Sequence, residues 1–172
     1  MNDGTLRLVA ALGLAVGAIL GLAGSFVPPP TRGLLWAADG TALVVASALL
    51  AVLHLRLAHE LVAAGFIVFA IGQGLILSGA SLEPGEITVM SSFAAGAALW
   101  AAGVALVSAP KVMPTLVRIL GFVAAALFAA HAIIVFSGHP LSSLSTPLPV
   151  AGYPFLVATL LCWAWVTWKG PR

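Results

Sequence analysis

From Leu8 to Val27 the chain carries no charged side chain, and five more apolar runs of similar length, each with at most one charged side chain, follow before the end. A helix crossing roughly 30 Å of hydrocarbon at about 1.5 Å per residue needs about 20 mostly apolar residues. The six runs therefore predict six membrane-spanning helices, at about 8–27, 34–55, 61–80, 90–108, 115–136 and 150–168. The breaks fall where helices are expected to stop: at Pro28, Pro29 and Pro30, in the stretch around Arg56 to Glu60, at Glu83-Pro84-Gly85-Glu86, at Ala109-Pro110-Lys111 with Pro114, and in the Ser/Pro-rich segment Ser137 to Pro149. Strands are excluded by the absence of period-two alternation and because open sheets cannot span lipid.

Composition agrees. Only 7% of the 172 residues are charged, with 7 Lys+Arg against 5 Asp+Glu, whereas soluble domains run near a quarter charged. A polar shell cannot be built from so few charges, which rules out a cytosolic enzyme, a nucleic-acid binder and a disordered chain. The basic residues are scattered, with no run for a nucleic-acid surface. The expected fold is an all-α integral membrane protein, a single compact bundle of six transmembrane helices with short loops and the lipid bilayer as its surroundings.

Orientation follows from the basic residues, which are retained preferentially in cytoplasmic loops. Arg7, Arg56, Lys111, Arg118, Lys169 and Arg172 sort to one side and only Arg32 to the other, placing both termini in the cytoplasm of a bacterial-type inner (plasma) membrane. Trp163, Trp165 and Trp168 fit an inner interfacial belt and Trp36 an outer one. The first span has a competing reading as a cleaved signal peptide, with Arg7 as its basic region and Ala23-Gly24-Ser25 as the small-residue site, but its apolar stretch is longer than such segments need. Gly13, Gly17 and Gly21 make a small-residue ridge for close helix approach, to a neighbour in the chain or to a membrane-protein partner or second copy. A weak repeat aligns Gly40 to Phe66 with Gly96 to Phe122.

Ionisable and amide side chains inside a membrane are costly and are default candidates for function. Asp39, Gln73 and His131 fall in one layer, roughly 7–10 Å below the outer surface at about 1.5 Å per residue, with Thr41 and Ser78 at similar depth. Glu83 and Glu86 would stand at the mouth of a pocket there. The segment Ser137 to Pro149, carrying His139, would cap it. A carboxyl, an imidazole and an amide in one layer suit a proton, a cation or the polar end of a small ligand. The competing reading is that they only hydrogen-bond between helices.

Other chemistries find little support. His54 lies near the inner face and His131 near the outer, so the two cannot share a haem; His131 with His139 could do so only if the loop folded back. Metalloprotease, phosphate-loop and serine-hydrolase motifs are absent. Gly72-Gln73-Gly74 suits a close helix crossing better than a nucleotide. Cys162 stands alone in an apolar run. His54, Arg56 and His59 fit interfacial anchoring, and Arg118 fits snorkelling or a pair with Glu60. No catalytic residue, metal or cofactor is implied. The function expected is binding or transport of a small molecule, proton or cation in an outward-facing polar pocket. The alternative is a non-catalytic accessory subunit of a larger membrane complex, with a membrane enzyme or haem protein behind both.

Overall fold

The computed structural model describes residues 2–79 and 87–170. Among them there are no strands, and the chain forms α1 (Asp3–Gly24), α2 (Thr31–Arg56), α3 (Glu60–Gly79), α4 (Ile87–Ser108), α5 (Thr115–Phe136) and α6 (Tyr153–Lys169). All six are long and apolar enough to cross a membrane, α4 over Val89–Ser108 and α6 together with the 3-10 turn before it over Val150–Lys169. These are the helices of a polytopic membrane protein.

Local chemistry sets the ends. α1 starts at Asp3, ahead of the apolar run, because Asn2 Oδ1 accepts the Thr5 N–H at 2.7 Å and Asp3 sits in the first turn, where a negative charge opposes the helix dipole. It stops at Gly24, before the prolines. α2 ends in a Schellman turn: Ala58 takes the left-handed φ of 56°, its N–H donates to Leu55 O at 3.1 Å, and the His59 N–H donates to His54 O at 2.8 Å. An apolar contact usually closes such a turn; here two imidazoles do, with the Nδ1 atoms of His54 and His59 3.3 Å apart. His54 is buried and stacks on Phe66, so it packs inside the bundle instead of anchoring at an interface. Arg118 neither snorkels free nor pairs with Glu60. Its guanidinium donates to the Ser108 and Ala109 carbonyls at 2.8 and 3.0 Å, satisfying the end of α4 from the neighbouring helix.

Each helix packs on the next in the chain, and α1 closes on α6. The result is a ring in chain order with both ends of the described chain at one end, where the Arg7 guanidinium approaches Gly170. Glycines set the tightest crossings. α3 and α4 meet backbone to backbone: a Cβ at Gly72 would stand 2.8 Å from Gly96 O, and one at Gly103 would stand 2.7 Å from Gly65 O. The ridge on α1 is spent on α2, since a Cβ at Gly13 would lie 2.9 Å from that of Ala46 and one at Gly17 2.5 Å from Leu43. Of the uses the sequence allows for the ridge, close approach to a neighbouring helix of the same chain is the one seen here. It also makes α1 an integral wall of the bundle.

The aligned repeat does not carry over into packing. Gly40 of α2 faces Leu77 of the following helix, but its counterpart Gly96 faces Ile76 of the preceding one. Toward the end bearing the termini, the ring is filled by aromatic side chains. Phe66 and Phe69 meet Trp163 of α6 edge-on, at centroid distances of 5.1 and 6.4 Å. Trp163 is 0% exposed, so of the three tryptophans expected at an interfacial belt only Trp165 and Trp168 face outward.

Candidate functional site

Above this aromatic plug, at the end away from the termini, the ring holds a partly open cavity of about 270 Å³. Asp39 of α2 and Gln73 of α3 both line it, as the sequence layer anticipates. The walls are otherwise largely apolar, with Leu43, Ile76, Leu77, Leu156 and Val157 beside the rings of Trp36, Phe93, Trp100 and Tyr153. A polar pocket was expected; the structure has an apolar one with few polar groups.

Asp39 is held in place by α1. A Cβ at Gly21 would stand 2.8 Å from Asp39 Oδ2, and one at Gly17 would stand 3.3 Å from Oδ1. The carboxyl thus occupies volume that any larger residue would take. One turn earlier on α2, Trp36 donates its indole N–H to Gly21 O at 3.1 Å, pinning the two helices at the cavity rim. Asp39 Oδ1, Gln73 Oε1 and Trp100 Nε1 are buried without a hydrogen-bond partner, and Gln73 is only 2% exposed. Unsatisfied buried groups cost about 1–3 kcal/mol each, and these three are polar groups of one cavity wall for which the described residues supply no hydrogen-bond partner.

The rest of the expected layer does not join them. His131 is 0% exposed and does not line the cavity; it stands behind Phe93, edge-on at 5.2 Å, with both ring nitrogens unpartnered. Thr41 faces outward in a shallow groove between α1 and α2 and donates to Ala37 O at 2.8 Å. Ser78 is exposed and donates to Leu75 O at 2.8 Å. A depth read from sequence leaves helix azimuth open. Thr41 follows Asp39 by two residues, about 200° around the helix, and therefore points the other way. Glu83 and Glu86 lie outside the described residues.

The segment from Ser137 to Pro149 is non-helical and does reach the cavity, but through Ser142 and Ser143. His139 is exposed and takes no part in the wall. Tyr153 fastens this segment to α6 by donating its hydroxyl hydrogen to Ser143 O at 2.7 Å, and the Ser142 N–H donates to Ser145 Oγ at 2.9 Å. The four aromatic residues of the wall are what sequence reading missed. Trp36 passes for a belt residue in sequence, and nothing in a single chain places Phe93, Trp100 and Tyr153 around one point.

Among the described residues no three His, Cys, Asp or Glu side chains gather as metal ligands would. The chain matches no protein-family model, no curated protein and no solved structure.

Proposed function

We propose that the protein binds, and in its membrane setting conveys, a small amphiphilic molecule held in the cavity beside Asp39 and Gln73. The observation that carries this reading is the pair of buried acceptors, Asp39 Oδ1 and Gln73 Oε1, left without partners in the wall of one cavity. An apolar ligand body would sit among the leucines and rings while its polar end supplies the missing donors, the usual division of labour in small-molecule sites. At about 270 Å³ the space lies just below the roughly 300–1,000 Å³ of drug-sized ligand pockets, so the ligand is small.

The cavity lies at the end opposite Arg7, Arg56, Lys111, Arg118 and Lys169. If Lys and Arg mark the cytoplasmic face, both termini are cytoplasmic and the cavity faces outward, with Ser142 and Ser143 as part of its cap. Asp39 and Gln73 are the ligand-binding residues in this reading, joined by the aromatic wall, and His131, Thr41 and Ser78 are left out.

The test is saturable binding of 2-phenylethanol to the purified protein in lipid nanodiscs, followed by tryptophan fluorescence, against a Val157→Trp variant that fills the cavity. Saturation in the wild type and a non-saturating, partition-like response in the variant support the reading. The same response from both proteins overturns it.

A further inference from the structure

The polar groups of the cavity are unbalanced in charge. Asp39 supplies a carboxyl, and among the described residues no Lys, Arg or His lines the wall. The nearest basic residue in sequence on the same helix, Arg32, is engaged elsewhere: its Nε donates to Val27 O at 3.0 Å and its guanidinium lies 5.7 Å from the centre of the Trp36 ring. Gln73 is neutral and can accept or donate by turning its amide. When ionised, the Asp39 carboxyl has no counter-charge among the described residues of the wall, and burying a charge unpaired is far more costly than burying it paired.

The same cavity is lined by Phe93, Trp100 and Tyr153, and by Trp36, whose ring already has the Arg32 guanidinium beside it. Phe93 and Phe128 meet Trp100 edge-on at 6.3 and 5.4 Å and Phe69 stacks on it at 5.9 Å, which fixes the Trp100 indole between neighbours on α3, α4 and α5. Aromatic faces attract cations through the ring quadrupole, most strongly when water is excluded, and cages of such rings are a recurrent means of recognising ammonium groups. The carboxyl and the rings therefore favour the same kind of ligand for independent reasons.

We infer that the cavity selects a small organic monocation, an alkyl- or arylammonium whose charged end lies between Asp39 and Gln73 and whose apolar body fills the space walled by Leu43, Ile76 and Val157. This rests on the cavity being a ligand site, as proposed above, and adds the ligand's charge and class. The ammonium N–H groups donate to Asp39 Oδ1 and Gln73 Oε1, supplying charge-assisted hydrogen bonds to acceptors that have no partner among the described residues. An inorganic cation would leave the apolar wall unused, and an anion would meet the carboxylate.

The experiment compares 2-phenylethylammonium, protonated at neutral pH as alkylamines are, with 2-phenylethanol, which has the same size and a donor but no charge. Both are titrated against wild type and Asp39→Asn in nanodiscs by tryptophan fluorescence. The wild type is expected to bind the ammonium tighter by about tenfold or more, and D39N to bind the two within about twofold of each other, with cooperative thermal unfolding in the same nanodiscs reporting that the variant is folded. If D39N binds neither, the wild-type ratio and an Asp39→Glu variant that retains the preference decide. Equal affinities in the wild type, or a preference that persists in folded D39N, overturn the cation assignment and leave the cavity reading standing. Saturable binding of neither probe to the wild type overturns both.

Discussion

Asp39 fits against α1 only because residue 21 has no side chain: a Cβ there would stand 2.8 Å from Oδ2. The contact places the carboxyl at the rim of the cavity, and the glycine that admits it also accepts the Trp36 indole N–H on its carbonyl. Gly21→Ala is therefore expected to destabilise the protein by about 1–2 kcal/mol, the scale of a tight core made tighter. In an Asp39→Ala background, where the carboxyl is gone, the same change costs clearly less. Equilibrium unfolding of the four proteins of this cycle measures the difference; additive effects would mean that the two residues do not touch.

Gly72 and Gly74 look alike in sequence but not in the bundle. A Cβ on Gly72 meets the Gly96 carbonyl and the Leu99 and Trp100 side chains, whereas one on Gly74 meets nothing within 4 Å. Gly72→Val should cost about 3 kcal/mol or more, because backbone on α4 cannot move aside as a side chain can. Gly74→Ala should fall within about 0.5 kcal/mol of wild type or be slightly stabilising. Thermal unfolding in detergent separates them, and equal losses would contradict the backbone-to-backbone crossing.

The turn after α2 contains a left-handed alanine, Ala58. That conformation costs an L-residue roughly 1–2 kcal/mol and costs glycine almost nothing. Ala58→Gly should stabilise the folded protein by about 0.5–1 kcal/mol, less than the full strain because glycine also loosens the unfolded chain. A loss of stability would mean that the turn is closed differently.

His131 has no hydrogen-bond partner for either ring nitrogen and packs on Phe93. An apolar ring of similar shape would remove unsatisfied groups without emptying the site, so His131→Phe should be neutral or stabilising by about 1–3 kcal/mol and should leave ligand binding intact. A variant that unfolds less cooperatively, or loses binding while still folded, would return His131 to the site from which the structure separates it.

How much of this was written in the chain can be judged residue by residue. Apolar run length is a one-dimensional property, and α5 (Thr115–Phe136) occupies the residues that its run marks out. The start of α1 was missed because Asn2 and Asp3 extend it with polar residues that a count of apolar ones ignores. Depth in the membrane is also one-dimensional, which is why Asp39 and Gln73 could be placed in one layer. Azimuth depends on how each helix is rotated by its neighbours. Trp163 and Trp165, two residues apart, end on opposite faces of α6, one at 0% and the other at 60% exposure. The glycine pairs that set those rotations act between helices, so a single sequence shows the glycines without showing which partner each will meet.

The most direct measurement is nuclear magnetic resonance of the protein in nanodiscs with 2-phenylethylammonium, reading nuclear Overhauser contacts between the ligand's ring protons and the tryptophan indoles. Trp36 and Trp100 line the cavity, while Trp165 and Trp168 are exposed on the outside of the bundle and serve as internal references for ligand dissolved in lipid. Contacts to Trp36, Trp100 and Tyr153, weakened in Asp39→Asn and absent at Trp165 and Trp168, are the predicted result. Contacts confined to Trp165, Trp168 and the lipid chains, unchanged by the substitution, would contradict it.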